Sequence, residues 1–300
     1  MPFRSETVMG TIVTIRIVRD DDHATQAALD RAFGWFHEIE ERCTRFNQRS
    51  ELMQLAAHIG EPVPASPILF EAVRFALMMA EETGGAFDPT VGHCMEARGF
   101  DREHRTGETI RSRAEAGTGV TYRDVELDPD RQTITLGRPM TLDLGAVAKG
   151  LAVDTAVREL EPFTDFAVDA GGDLYLGGKN RQGEPWSVGI RHPRRDGEII
   201  DSLLVSNQAV CTSGDYERPA SHGIPGEHHI LDPRTGVSPR AVASATVVAS
   251  SAMLADALAT AAFVLGPAEG IQFLNRMGVQ GLILTPALER HETRGLRHAA

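Results

Sequence analysis

The sequence predicts an α+β fold, in which strands and helices gather in separate groups. One observation is that short apolar runs follow one another closely over residues 166–206, separated by Gly, Pro and Asn. Another is that segments with apolar residues at helical spacing cluster elsewhere, without regular strand–helix alternation. With 300 residues, 42% of them hydrophobic, the chain can bury a sizeable core. We predict a single domain over residues 1–300.

The N-terminal elements follow from alternation and capping. Val13, Ile15 and Ile17 predict a strand over residues 11–19. The acidic run that follows can cap a helix over about residues 24–45. That helix places one apolar stripe toward the core, formed by Leu29, Phe33, Phe36, Ile39 and Cys43.

The middle of the chain combines helices, a hairpin and a polar insertion. A short helix ends near Leu55, and a second helix runs from Pro67 to the glycine pair 84–85. Residues 96–121 are charged and contain glycine, which predicts a surface excursion. The predicted elements after it are a hairpin of residues 124–127 and 132–136, a short strand over 140–144 and a helix over 145–161.

The C-terminal part supplies most of the strands. They are predicted over residues 166–170, 173–176, 187–190, 203–206, 245–248 and 278–284. A helix over 267–277 precedes the last of them. After Ser250 and Ser251 the pattern becomes that of a buried helix, with apolar residues at Leu254, Ala257, Leu258, Ala261, Ala262 and Leu265.

Composition narrows the function classes and the compartment. The formal net charge is -12 and no basic patch stands out beyond residues 191–195, so we expect no nucleic-acid partner. Cys43, Cys94 and Cys211 lie far apart, which indicates free thiols in a reducing compartment. No run is apolar enough to span a bilayer, and the N-terminal residues alternate like a strand rather than a secretory leader. We therefore expect a cytoplasmic protein without membrane insertion.

Asp256 and Thr260 interrupt the apolar helix that follows Ser251. Their spacing places a carboxylate and a hydroxyl on one face, one turn apart. A buried carboxylate needs a partner, because leaving it unpaired costs several kcal/mol in order of magnitude. The pattern leaves two interpretations open: a buried Arg or Lys beside Asp256, or a hard cation held by oxygen ligands, with Mg2+ as the leading choice.

Three further segments combine glycine with polar or charged side chains. Residues 142–150 form a glycine turn and a helix start with Lys149, which suits a phosphate but also an ordinary turn. Residues 169–173 and 212–217 have compositions common in loops between strands. In the segment 228–236, one of the two histidines is either a general base or a metal ligand, or both are structural. If this segment is extended, the side chains of His228 and His229 point to opposite sides of it.

Together these segments resemble a known family. The motifs are MGT at 9–11, TGGAFDPTVG at 83–92, LDLGAVAKGLAVD at 142–154, DAGGDL at 169–174, TSGDYE at 212–217, HHILDPRTG at 228–236 and ADALAT at 255–260. In this order they resemble the FAD:protein FMN transferase family, the ApbE-like flavin transferases. The resemblance covers residues 9 to about 265, nearly the whole chain. It implies a single ApbE-like, T-fold-like domain of mixed sheets and packed helices, with the active site in a cleft between two lobes.

The resemblance also implies a reaction and its residues. FMN passes from FAD to a threonine of a target flavoprotein in a Mg2+-dependent step, and AMP leaves. The metal ligands implied are the carbonyl of Ala146, the carboxylate of Asp256 and the hydroxyl of Thr260. Asp256 and His229 are the implied catalytic residues, with His229 as the base. The FAD contacts implied are Met9, Phe46, Ala86, Phe87, Asp88, Asp143, Lys149 and Ile230.

Two other function classes remain possible from the sequence. A pyrophosphatase of the same fold would convert FAD to FMN and AMP with water as the acceptor. A non-catalytic FAD-binding protein would hold FAD without cleaving it. The resemblance favours the metal interpretation of Asp256 and Thr260, which together with His229 argues against the non-catalytic protein.

Overall fold

The structure is a computed structural model that describes residues 2–19, 22–102, 107–110, 119–217 and 227–299. Its contacts divide the chain into two compact units. Unit 1 comprises Met1–His37, Lys149–Glu217 and Arg240–Ala300; unit 2 comprises Glu38–Ala148 and Arg218–Pro239. The single domain over residues 1–300 stays a prediction. Part of the expected excursion at 96–121, namely residues 103–106 and 111–118, lies outside the described residues.

The elements are named in chain order. The helices are α1 His23–Cys43, α2 Glu51–Leu55, α3 Pro67–Glu82, α4 Gly92–Ala97, α5 Gly145–Leu160, α6 Ala252–Leu265 and α7 Pro267–Arg276. The strands are β1 Phe3–Val8, β2 Thr11–Ile17, β3 Val63–Pro64, β4 Val125–Asp128, β5 Thr133–Leu136, β6 Phe166–Ala170, β7 Asp173–Gly177, β8 Trp186–Arg191, β9 Ile199–Val205, β10 Gln208–Gly214, β11 Ser244–Ala249, β12 Gln280–Leu284 and β13 Arg290–Glu292. Short 3-10 turns cover Pro89–Val91 and Tyr122–Asp124.

Unit 1 is built on an eight-stranded sheet in the order β1-β2-β6-β7-β10-β11-β12-β13. Each neighbouring pair of strands is antiparallel. The hairpin of β8 and β9 covers part of this sheet through an apolar cluster. That cluster consists of Leu176, Val188, Ile190, Leu203, Val205, Val210, Val248, Leu282 and Leu284. The strands are therefore held in place by backbone pairing and by side-chain burial together.

The alanine-rich helix α6 packs on β10 and β11 and against α7. Ser251 caps its N-terminus, with its hydroxyl accepting from the N–H of Leu254 at 3.3 Å. A helix that is apolar on all sides is expected to be buried on all sides, and the residues from Ala255 to Ala259 are all buried. This burial confirms the helix predicted after Ser251.

The part of α5 in unit 1 is docked on the first turn of α6. The carboxylate of Asp154 accepts hydrogen bonds from the N–H groups of Ala252 at 2.7 Å and Met253 at 2.9 Å. Gly150, one turn earlier in α5, also packs against the first turn of α6, and a β-carbon at this position would overlap the backbone of Met253. The helices approach this closely only because residue 150 has no side chain.

Unit 2 combines a small sheet with helices. Its three strands lie in the order β3-β5-β4, and α3 buries an apolar face against this unit's core. The residues of α3 that are buried are Leu69, Phe70, Ala72, Val73, Phe75, Ala76, Met79 and Ala80. The hairpin of β4 and β5 and the helix beginning at Pro67 agree with the sequence prediction.

The strand predicted over residues 140–144 is wrong. Met140, Leu142 and Leu144 are buried, which produced the strand-like pattern. The backbone, however, bonds to a turn rather than to a strand: Gly92 N–H donates to Thr141 O at 3.1 Å, and Asp143 N–H donates to Pro89 O at 2.7 Å. No ladder can form against a helical turn, so the segment is irregular although it is buried.

The structure also corrects the prediction for residues 212–217. The expected loop is partly strand, because Thr212, Ser213 and Gly214 belong to β10 and pair with β11. Their small polar side chains concealed a strand that is central to the sheet.

No helix in the described residues combines the length and apolar character needed to cross a membrane.

Replacing Gly150 with alanine tests the close approach of α5 and α6. The new methyl group would force the backbone of Met253 away, so the free energy of unfolding should fall by about 1–3 kcal/mol. Urea denaturation monitored by circular dichroism measures this change. Gly34 in α1 is the matched control, because it is exposed and a β-carbon there meets open space. Gly34→Ala should stabilise by up to about 1 kcal/mol, and equal gains in both variants would contradict the close approach.

Candidate active site

Asp256 lies in the middle of α6 with only 7% of its surface exposed. The Nζ atom of Lys149 lies 3.3 Å from its Oδ2 atom. The lysine partner is thus one of the two interpretations that the sequence left open. The ammonium group of Lys149 offsets the buried negative charge of Asp256. The two side chains also place an anion beside a cation, where a ligand could contact both.

Lys149 also forms an ion pair with Asp173 at the start of β7. Asp173 is 2% exposed, so the ammonium group lies between two buried carboxylates. The sequence predicts a turn at the glycine pair before Asp173 and assigns no role to Asp173. The available signal was an acidic residue directly after the Gly171–Gly172 pair.

Asp154 holds the helix that carries Asp256. Burial raises the pKa of the Asp154 carboxyl above its ordinary value, whereas the hydrogen bonds from Met253 and Ala252 lower it. The carboxylate also lies at the positive end of the α6 dipole, where a negative charge is favoured. The Asp154 side chain therefore fixes the start of α6 relative to the part of α5 that bears Lys149.

Thr260 faces Ser213 in the sheet beneath α6. The two hydroxyl oxygens lie 3.1 Å apart, and either can be the donor. Ser213 stands in β10 and is 8% exposed. Sequence reasoning did not select Ser213, since its segment was expected to be a loop. The structure shows that this polar pair belongs to the same unit as Asp256.

Met9 occupies the turn between β1 and β2. Its φ angle is 53°, in the left-handed region that a residue with a side chain rarely adopts. Such a conformation costs on the order of 1–2 kcal/mol. The two-residue hairpin turn between β1 and β2 requires this geometry, since Gly10 beside Met9 also has a positive φ angle of 70°.

In unit 2, Asp88 connects two turns. Its Oδ1 atom accepts from the N–H of Thr90 at 2.9 Å and from the hydroxyl of Thr90 at 2.7 Å. Its Oδ2 atom accepts from the N–H of Tyr122 at 3.0 Å. Burial raises the pKa of the Asp88 carboxyl, and these bonds oppose the rise. The adjacent Ala86 and Phe87 are also buried.

Asp143 is held from two sides in unit 2. Its Oδ1 atom accepts from the N–H of Gly145 at 2.8 Å, and its Oδ2 atom accepts from Nε of Arg45 at 2.5 Å. Arg45 also lies over the ring of Phe46, with its guanidinium carbon 4.2 Å from the ring centre. Two predicted FAD contacts, Phe46 and Asp143, are therefore joined by an arginine that sequence reasoning did not select.

Ala146 departs from helical geometry at the start of α5. Its φ and ψ angles are -92° and 15°, a kink in an otherwise regular helix. The resemblance assigns its carbonyl oxygen to the metal. Among the described residues, no group of three or more His, Cys, Asp or Glu side chains is arranged to hold a metal ion. The predicted ligand set does not require one, since it has a single carboxylate.

The two neighbouring histidines differ in burial. His228 is 2% exposed; its Nε2 atom lies 3.0 Å from the carbonyl oxygen of Pro239, and its backbone is bonded to Ser238. His229 is half-buried, and Ile230 after it is buried. His228 therefore has a structural role, while His229 is less buried as a residue, although its Nδ1 atom is buried.

The predicted site residues fall into both units. In unit 1 the structure brings Lys149 and Asp256 together and places Thr260 beside Ser213. In unit 2 it joins Phe46 and Asp143 through Arg45. The remaining predicted residues of unit 2 are Ala86, Phe87, Asp88, Ala146, His229 and Ile230, and Met9 belongs to unit 1. The cleft between two lobes stays a prediction.

Comparison with known proteins identifies the family. The model of the ApbE family matches residues 9–283. A Treponema pallidum protein named FAD:protein FMN transferase is 34% identical to this chain, with 94% of this chain and 84% of that protein covered. A Vibrio cholerae protein of the same name is 31% identical, with coverage of 89% and 82%.

Solved structures agree with this match and with the predicted ApbE-like α+β fold. The ApbE protein of Thermotoga maritima has a TM-score of 0.85 at 29% identity, covering 98% of this chain and 97% of that one. The flavin transferase ApbE of Vibrio cholerae has a TM-score of 0.83 at 26% identity, with the same coverage. Both the family and the transferase class predicted from the motifs are confirmed. The chain belongs to the ApbE family.

Proposed function

We propose that this chain is a Mg2+-dependent FAD:protein FMN transferase, which attaches FMN to a threonine of a target flavoprotein and releases AMP. One observation carries the proposal. The buried carboxylate of Asp256 stands on a helix that is apolar except for Thr260, and it lies beside Lys149 of α5. Such an arrangement has little value for packing and suits a site that handles phosphate and a cation. The names of the relatives support the transfer of FMN from FAD to a protein.

In the proposed reaction, the hydroxyl oxygen of the acceptor threonine forms a bond to the FMN phosphorus of FAD. The bond from that phosphorus to the bridging oxygen breaks, and AMP leaves with the oxygen. The threonine proton passes to a base. The products are a phosphoester-linked FMN on the target protein and AMP, so atoms and charge balance.

The residues present fit a Mg2+ ion. The carboxylate of Asp256, the hydroxyl of Thr260 and the carbonyl of Ala146 are all oxygen donors, the type this ion prefers. Asp173 and Asp256 carry more negative charge than Lys149 offsets, which leaves an excess for a cation. The backbone at Ala146 is not helical, which is consistent with the carbonyl oxygen of this residue binding the ion rather than a helical N–H group. When bound, the ion would offset charge that develops on the pyrophosphate oxygens.

The other residues bind and orient the reactants. Lys149 donates to a pyrophosphate oxygen, and its ion pair with Asp173 holds the ammonium group in place. His229 accepts the proton of the threonine hydroxyl. Those proposed to hold FAD with Lys149 are Met9, Phe46, Ala86, Phe87, Asp88, Asp143 and Ile230.

A direct experiment separates the proposed transferase from its two alternatives. The protein is incubated with FAD and MgCl2, with and without a threonine-bearing flavoprotein, and the acceptor is analysed by intact mass spectrometry. A transferase increases the acceptor mass by that of FMN less one water, and releases AMP in equal amount. A pyrophosphatase releases FMN and AMP without an acceptor. A non-catalytic binding protein leaves FAD intact, which would contradict the proposal.

We also propose that the protein works in the cytoplasm. Cys43, Cys94 and Cys211 are free thiols, and Cys94 is exposed. An exposed free thiol suits a reducing compartment. Expression with a cytoplasmic and a secreted tag tests this, because the secreted form should gain disulfide-linked dimers through Cys94.

Replacing Asp256 with alanine should abolish Mg2+-stimulated turnover without unfolding the protein. Lys149 keeps Asp173 as its partner, so no buried ammonium is left alone. A ligand that binds the folded state stabilises it, so MgCl2 should raise the melting temperature of the wild type and not of Asp256→Ala. Thermal melting with and without MgCl2 and AMP release measure the two effects. Normal Mg2+-stimulated turnover in the variant would refute the assignment.

Replacing His229 with alanine tests the base. The neutral imidazole is the active form, so the single-turnover rate should rise with pH through about 6.5, where an ordinary imidazole loses its proton. His229→Ala should lower the rate by roughly 10^2 to 10^4 and remove this rise, while the dissociation constant for FAD hardly changes.

His228→Ala is the matched control for that experiment. Because His228 is buried and bonded to Pro239, this change should lower the melting temperature. Its rate per folded molecule should keep the wild-type pH profile. A folded His229→Ala protein with the wild-type rate and profile would exclude the base role.

A further inference from the structure

Arg45 is a buried arginine that follows the end of α1. Only 5% of its side chain is exposed. Its Nε atom donates to Oδ2 of Asp143 and its Nη2 atom donates to the carbonyl oxygen of Phe100, and both donor–acceptor distances are 2.5 Å. Its planar face lies over Phe46. Within the described residues, its Nη1 atom is buried and makes no hydrogen bond.

Stability is a weak reason for this arrangement. Removing an arginine and a carboxylate from water offsets most of their attraction, so a buried pair adds little net stability. A buried donor without a partner is unfavourable in addition. Arg45 therefore calls for an explanation in terms of what its contacts hold in place.

Its contacts join residues 45–46 to Asp143 and to the carbonyl of Phe100 within unit 2. The carboxylate of Asp143 cannot rotate, because Gly145 N–H binds one oxygen and Arg45 binds the other. The N–H of Asp143 donates to the carbonyl oxygen of Pro89, next to Asp88. On the other side, the guanidinium group covers Phe46.

We propose that Arg45 is a positioning residue for FAD, which sets the carboxylate of Asp143 and the ring of Phe46 in the orientation that receives the nucleotide. The inference rests on the proposed FAD-binding role of Asp143 and Phe46. Arg45 acts through these side chains, so its loss weakens FAD binding even where the fold is intact.

Direct FAD binding to the full chain, followed by quenching of flavin fluorescence without any acceptor protein, tests the proposal. Arg45→Gln should raise the dissociation constant for FAD by about 10-fold or more, within the range of coupled neighbours. Asp143→Asn should have a comparable effect. The double variant should be weakened by less than the sum of the two single effects, because part of the effect of Arg45 on FAD passes through Asp143.

Two further variants keep the result interpretable. Arg45→Lys retains the positive charge but lacks the planar fork, so it should recover only part of the affinity. It also provides the measurement if Arg45→Gln does not fold. Arg42→Gln is the matched control: Arg42 is in the same helix region and binds Glu38 and Glu51, neither of which is proposed to contact FAD. It should leave the dissociation constant unchanged.

The outcomes distinguish this inference from the proposed function. Unchanged FAD affinity in a folded Arg45→Gln protein, or additive effects of the Arg45 and Asp143 changes, would overturn the inference alone. A wild type that binds FAD, loses affinity in Arg45→Gln and yet transfers no FMN would remove the proposed function and leave the inference standing. A wild type that does not bind FAD would overturn both.

Discussion

The burial of one carboxylate in an apolar helix is the constraint on which unit 1 depends. Asp256 is almost completely buried, so water stabilises its charge only weakly, and the side chains of the alanines around it cannot donate a hydrogen bond. An ammonium group must therefore reach it from another element, and Lys149 does so from α5. The close docking of α5 on α6 through Asp154 makes this reach possible. Chemistry and packing are coupled at this point.

Carboxylates at the starts of helical segments recur in both units. Asp88 caps the 3-10 turn after it, Asp143 binds the first N–H of α5, and Asp154 binds the first turn of α6. Free N–H groups at a helix start favour a negative charge there. These N–H groups help to hold each carboxylate in one orientation, and at Asp143 the side chain of Arg45 holds the second oxygen. A binding residue that is held in advance loses less entropy when a ligand arrives.

What the sequence could predict depended on how local the signal was. The helix with Asp256 and Thr260 was predictable, because its periodicity lies within a few turns. The choice of Lys149 as the partner was not, since the pair is 107 residues apart in the chain. Arg45 was missed for the same reason, as its carboxylate partner lies 98 residues away.

Two wrong elements have a related cause. Residues 140–144 carry strand-like burial but meet a helical turn, and only the tertiary partner decides which structure forms. Conversely, the polar end of β10 forms a strand because β11 pairs with it, whereas β7 pairs only with residues 208–210. Local composition describes neither partner.

The order of strands in the large sheet determines when it can be completed during synthesis. β1 and β2 are neighbours in the chain and can pair early, but β2 then waits for β6, which begins only at Phe166. Until that strand is made, β2 presents an open edge with Val13, Ile15 and Ile17, which are all buried in the finished protein. Pairing across such long separations slows folding and leaves apolar edges exposed meanwhile. The nascent chain therefore carries an unpaired strand with exposed apolar side chains while residues 38–148 of unit 2 are being synthesised.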